Sequence, residues 1–305
     1  MHRREEKALR CFYIIVFYFK YAIISAEVIK MAVYKNRTDL HMHTNSSFDG
    51  NYPAALMCSA AVENSLSTIA ITDHFDVDFF ERHNLGTRQQ TSYEDITLAK
   101  AAFEGRLNVL VGIEMGQPTY DTALTEKSLA RYDYDFVIGS IHNLREQPDF
   151  GDLDYVSRTQ DEIYALLDQY FAEELLLAKW NGLDTLAHLT YPMRYIVQAG
   201  RTDIELSRYS DITDEIFKVL IANGKALEIN TSGLRQPIGK TMPTADYVQR
   251  FRQLGGELLT LGSDAHFTEH VGAGIDSGYE IAQSCGFEYV TYFKDRKPVQ
   301  VKIEK

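Results

Sequence analysis

Basic charge is in short supply in this chain. Its 305 residues carry 31 Lys and Arg against 43 Asp and Glu, a formal net charge of −12. That balance argues against nucleic-acid binding driven by a general positive field, and it leaves any anionic substrate to be captured by locally placed Arg or Lys. Cysteine is scarce as well. Cys11, Cys58 and Cys285 are scattered and odd in number, which speaks against a disulfide framework and for a reducing, cytoplasmic setting. No low-complexity tract or long linker divides the chain, so it reads as one domain. Hydrophobic content of 45% is ordinary for a soluble globular protein, and the length suits a closed α/β barrel formed as one unit.

The first thirty residues differ from the rest. Residues 11–29, CFYIIVFYFKYAIISAEVI, are strongly apolar and come after basic residues, as in a secretory signal. Lys20 interrupts the run, aromatics are dense in it, and the ISA at 24–26 is a weak cleavage site. The uninterrupted stretch is too short to span a bilayer. The reading adopted is a native start at Met31, with 1–30 an atypical extension and 31–305 a single domain.

From Met31 onward, short apolar runs alternate with longer amphipathic segments, the pattern of βα units around a parallel sheet. Strands are expected at 37–42, 68–72, 109–113, 136–141, 185–189, 226–230 and 258–263. The clearest helices are expected at 161–180, 213–223 and 244–254. Asn223-Gly224 and Gly255-Gly256 supply C-terminal stops for two of them. Seven strands favour a seven-stranded barrel over an open sheet.

The C-terminal ends of these strands carry the chemistry. The first ends in His41 and His43, with Asp49 in the loop beyond; the second runs into Asp73 and His74; the third ends at Glu114. The fourth gives His142, the fifth His188, and the seventh Asp264 and His266. In a parallel barrel such strand ends converge on one face, where active sites are built. Six of the nine histidines sit there, which is too ordered for chance. Imidazole with carboxylate is the ligand set of zinc, iron or manganese. Residues i and i+2 of a strand project to one side, so His41 and His43 can share a metal. One metal cannot use nine donors; two or three can, with Glu114 or Asp264 bridging.

Other features read more plainly. Ser140/His142 and Ser263/His266 lack a nucleophile elbow, so those serines are expected to hydrogen-bond at strand ends. The segment VGAGIDSG near Val271 misses the dinucleotide spacing and reads as a turn. Cys58 and Cys285 are expected in the core; His2, His83 and His270 are expected at the surface or in loops, with His270 near enough to the seventh strand to matter.

Taken together, the motifs HMHT, ITDH, GIE, SIH, AHL and SDAH resemble the polymerase and histidinol phosphatase (PHP) superfamily, from Thr38 to about Cys285. The resemblance implies a distorted (β/α)7 barrel with a trinuclear metal centre at the C-terminal strand ends. It carries ligand roles to His41, His43, Asp49, His74, Glu114, His142, His188, Asp264 and His266, with Asp49 the loosest match and Asp73 a supporting residue. AHLTYPMRY, with Arg194, and LEINTSGLRQ, with Arg235, are similar to the histidinol-phosphatase branch, in which two arginines hold the substrate phosphate. The planar guanidinium fork suits that task.

The function implied is hydrolysis of L-histidinol phosphate, with Asp264 or His266 assisting the leaving group. The alternative on the same fold is a phosphoesterase acting on a nucleotide or sugar phosphate. A metal-binding module serving a larger assembly is a third, disfavoured by the lack of a basic face or a fused polymerase segment. The expected partners are a small phosphate ester and neither nucleic acid nor membrane. For the substrate's non-phosphate end the sequence offers only Phe75, Asp76 and Tyr191, as neighbours of these motifs.

Overall fold

The computed structural model describes residues 34–305. The extension at 1–30, with His2 and Cys11, and the expected start at Met31 lie outside the described residues.

Eight parallel strands build the main sheet: β1 (Thr38–Asp39), β2 (Thr68–Ile71), β3 (His74–Asp76), β4 (Asn108–Gly116), β5 (Phe136–Ser140), β6 (Thr185–Leu186), β7 (Ala226–Asn230) and β8 (Leu259–Gly262). They run in the order β1-β2-β4-β5-β6-β7-β8, and β3 pairs with β4 in the register that β2 sets. β2 and β3 therefore act as one interrupted strand, and seven positions encircle the barrel. Its seam is closed by backbone bonds: Leu40 N–H to the Leu261 carbonyl at 2.8 Å, Asp264 N–H to His41 at 2.7 Å and His43 N–H to Ala265 at 2.8 Å. Buried Asp39 reinforces the seam, accepting from the backbone of Ser263 and Gly272.

All seven expected strands are present, but β1 and β6 hold only two ladder residues each. Beyond Leu40 and Ala187 the chain leaves regular pairing. His188 has φ 20° and Asp264 φ 53°, backbone in which L side chains are uncomfortable and which recurs at functional sites.

The described α-helices are α1 (Ala54–Glu63), α2 (Leu85–Ala102), α3 (Thr122–Leu129), α4 (Gln160–Trp180), α5 (Pro192–Gln198), α6 (Ser210–Ala222), α7 (Ala245–Gln253) and α8 (Ile275–Ser284), with short 3-10 turns between elements. α4 begins with a capping box in which Thr159 and Glu162 satisfy each other's backbone N–H. Its Ile163, Leu166, Leu167, Tyr170 and Phe171 then face the core at helical spacing.

Alternation along the strands positions the site. Leu110 of β4, Phe136 and Ile138 of β5 and Ala226 of β7 share an apolar layer with Leu40, Ala70, Ala187 and Phe293. Steps of two from these residues arrive at Glu114, His142 and Glu228. A hairpin of β9 (Tyr289–Lys294) and β10 (Lys297–Lys302), which the sequence pattern did not reveal, supplies Phe293, stacked on Phe136 with ring centroids 5.5 Å apart. Among the described residues no helix is long and apolar enough to cross a membrane.

Candidate active site

At the C-terminal mouth the nine expected donors come together around Glu114, which is wholly buried. Its Oε2 lies 3.0 Å from His74 Nδ1, 3.2 Å from His41 Nε2 and 3.5 Å from His43 Nε2. Its Oε1 lies 3.1 Å from His188 Nε2 and 3.2 Å from His142 Nε2. Asp264 Oδ1 stands 3.5 Å from both His43 Nε2 and His266 Nδ1. Asp49, exposed in its loop, reaches His266 Nε2 at 3.0 Å and His74 Nε2 at 3.6 Å.

A second layer of groups aims the imidazoles. Glu228 Oε1 accepts from His41 Nδ1 at 2.7 Å, and Asp76 Oδ1 accepts from His142 Nδ1 at 2.7 Å. His43 Nδ1 meets Ser47 Oγ at 3.2 Å, and that hydroxyl donates to Asp73, which also accepts from Thr44 and Ser92. Asp73 thus supports the site at one remove. With Nδ1 engaged, the Nε2 lone pairs of His41, His43 and His142 turn toward the centre. Gly262 leaves room for this packing: a Cβ there would stand 2.4 Å from both His41 Cβ and Glu228 Oε1.

Glu228 was missed by sequence reasoning. The available signal was a carboxylate in the middle of the mostly apolar strand ALEIN. Two guesses about substrate contacts are corrected. Phe75 is buried in the apolar core outside the barrel, and Asp76 is occupied with His142.

Electrostatics describe a site short of positive charge. Burial disfavours the charged form of His142, yet Asp76 and Glu114 carry its pKa up to about 10; carboxylates likewise hold His41 and His74 well above the imidazole range against burial. Burial, with His74 and His266 alongside, brings His43 down to about 4. Burial opposes the charge on Glu114 and Asp264 too, but the surrounding imidazoles hold both carboxyls well below their usual range.

The donor set fits a divalent metal. His41 Nε2, His43 Nε2, His74 Nδ1 and Glu114 Oε2 are buried without a hydrogen-bond partner, although they converge. Left so, each costs desolvation energy that a shared cation would offset. The triplets His41–His43–Asp264, His41–Glu114–His188 and His43–His74–His266 each have ligand atoms within 4.8 Å of one another.

Above this cluster opens a cavity of about 360 Å³, walled by Tyr191, Arg194, Tyr195, Arg235, Phe267 and His270. Arg194 extends from α5 over the rings of Tyr191 and Tyr195, with Cζ 5.2 and 5.0 Å from their centroids, and its Nη1 is 3.8 Å from Asp264 Oδ2. Arg235 ends a 3-10 turn after β7, its Nη2 donating to the Ser263 carbonyl at 2.7 Å. Backbone carbonyls rather than carboxylates hold it, so its charge stays available to an anion.

The serines behave differently from expectation. The hydroxyls of Ser140 and Ser263 are buried without partners, while their backbones carry the hydrogen bonds. VGAGIDSG is a turn only in its first half: Gly272 and Gly274 have φ 75° and 78°, and from Ile275 onward the segment is the start of α8. Cys58 and Cys285 are core residues. His83 is half-buried against Phe48, and half-buried His270 lines the cavity.

The sequence pattern of the PHP domain matches residues 39–232. This chain belongs to the PHP domain family. Within that family it is 29% identical over 280 residues to the probable histidinol-phosphatase of Thermotoga maritima, covering 87% of this chain and 99% of that protein. It is 24% identical over 266 residues to the histidinol-phosphatase of Lactococcus lactis subsp. lactis, covering 86% and 96%. Among solved structures, the histidinol phosphate phosphatase of Lactococcus lactis, complexed with zinc, L-histidinol and phosphate, superposes with a TM-score of 0.73. Identity there is 22%, over 88% of this chain and 99% of that one. The barrel of this PHP-domain chain is thus a fold shared with that enzyme.

Proposed function

We propose that this chain is a metal-dependent phosphomonoesterase, a cytoplasmic histidinol-phosphatase that hydrolyses L-histidinol phosphate to L-histidinol and inorganic phosphate in histidine biosynthesis. One observation carries the reading: seven members of the nine-residue imidazole and carboxylate cluster line the same cavity as the two arginine forks. The relatives named above support the choice of substrate.

His41, His43, Asp49, His74, Glu114, His142, His188, Asp264 and His266 would hold two or three divalent ions, zinc, iron or manganese, with Glu114 reaching the most imidazoles. Bound divalent cations supply Lewis acidity and acidify a water near neutral pH. Arg194 and Arg235 bind the phosphoryl oxygens and stabilise the charge that develops on them. Buried Tyr191 forms part of the cavity wall beside the cluster. Asp264 and His266 stand beside the cavity; the carboxylate of Asp264 holds the imidazole of His266, whose protonated form is the group placed to assist the departing alcohol oxygen.

Metal analysis joined to a phosphate-release assay tests the reading. The panel is histidinol phosphate, a nucleotide, a sugar phosphate and a chromogenic ester. Histidinol phosphate is expected to be turned over fastest. Equal rates on the chromogenic ester favour a broader phosphoesterase, and no release after loading with zinc, iron or manganese rejects the enzyme.

A further inference from the structure

One loop, from Ser263 to Gly272, carries Asp264 and His266 of the donor cluster and Phe267 and His270 of the cavity wall. Two of the donor triplets named above take a member from it, while His41–Glu114–His188 takes none. Its backbone is held away from ordinary conformations. Asp264 has φ 53° and Gly272 φ 75°, and a non-glycine residue stays in that region only where its surroundings impose it.

Much of what imposes it comes from β1. Asp39 ends that strand and is fully buried. Its Oδ1 accepts the Ser263 N–H at 2.7 Å and its Oδ2 accepts the Gly272 N–H at 2.8 Å. One side chain therefore ties the outgoing and the returning ends of the loop together, 224 and 233 residues along the chain from itself. A carboxylate suits the task because both oxygens accept and neither carries a proton to repel an N–H. The next peptide, the Asp264 N–H, is taken by the His41 carbonyl at 2.7 Å.

Other groups hold the loop from the side of β7. Arg235 donates to the carbonyls of Ser263 and Ala273, and the Thr231 hydroxyl donates to that of Ala273 at 2.7 Å. Arg235 faces the cavity and has an anion to serve as well. Asp39 spends both oxygens on the backbone and stands away from the cavity wall.

We propose that Asp39 is a positioning residue, which pins both ends of the 263–272 loop and so holds Asp264 and His266 ready for the metal before it binds. This rests on the metal-dependent reading above. An asparagine in its place offers one acceptor and turns its amide donor against the other N–H, leaving that buried group unpaired.

Chelator competition with zinc tests it on wild type, Asp39→Asn and a matched variant, Asp135→Asn. Asp135 is also buried and also accepts two backbone N–H groups, Val111 at 2.9 Å and Asp295 at 3.3 Å, but at the opposite end of the barrel. Both variants should melt at lower temperature than wild type without metal. Zinc affinity should fall about tenfold or more in Asp39→Asn alone, the scale of losing a partner that supports metal ligands. Wild-type affinity in Asp39→Asn overturns the assignment, and so does an equal loss in Asp135→Asn. Hydrogen exchange on metal-free wild type adds a reading independent of whether the variants fold. The Ser263 and Gly272 amides should already exchange slowly, and free exchange at either one overturns the clamp. A wild type that binds no zinc overturns the metal-dependent reading and this inference with it.

Discussion

The imidazole of His41 donates from Nδ1 to Glu228 at 2.7 Å, and both residues are buried. The other oxygen of Glu228 accepts the His188 backbone N–H at 2.9 Å and the Asn230 amide at 3.2 Å. A single carboxylate on β7 thus sets the orientation of two donors from β1 and β6.

Replacing Glu228 by Gln keeps the volume and removes the charge. Metal affinity is expected to fall about 10- to 100-fold, the usual effect of losing such a partner. Chelator competition measures it, and an affinity equal to wild type contradicts the orienting role.

Arg235 is anchored by backbone carbonyls, that of Asp264 among them, and among the described residues it makes no hydrogen bond to a side chain of the cluster. Arg235→Ala should lower phosphate-ester turnover by about a hundredfold, the scale of losing one preorganised donor to a developing anion. Bound metal, measured by elemental analysis, should be retained; its loss would show that the arginine has another role.

Glu114 meets five imidazoles, whereas His41 meets Glu114, Glu228 and Asp264. Glu114→Gln should therefore deplete metal more completely than His41→Ala, and both should abolish phosphate release. A fully loaded and active His41→Ala protein would refute its ligand role.

Glu174 of α4 is fully buried with neither oxygen hydrogen-bonded, since Tyr170 donates instead to the Leu189 carbonyl. Burial pushes its pKa up to about 8. An acid raised in the folded state contributes its stability below its unfolded pKa, and that contribution is lost as pH climbs through the folded value. Wild-type stability should fall between about pH 4.5 and pH 8, by up to about 5 kcal/mol from this group. Glu174→Gln should flatten that decline in melting temperature against pH; parallel curves would argue against it.

Much of the site was legible in the sequence because barrel geometry is periodic. A donor placed just beyond each apolar run must reach the same face, so His41, His43, His74, Glu114, His142, His188, Asp264 and His266 could be assembled from position alone. Helix α4 was legible for a similar reason, since its apolar spacing is local; its capping box was seen only in the structure. The β9–β10 hairpin was not: KPVQVK has proline and lysines where a buried strand would be apolar, and its pairing is seen only in three dimensions.

The sequence by itself determined which side chains are available and, through strand and helix periods, which face each one takes. Tertiary structure decided what those side chains meet. Glu228 approaches His41 across 187 residues, Asp76 approaches His142 across 66, and Asp149 reaches Tyr191 across 42. Such pairings depend on register, closure and loop path, which no local period encodes, and they select the tautomer each imidazole presents.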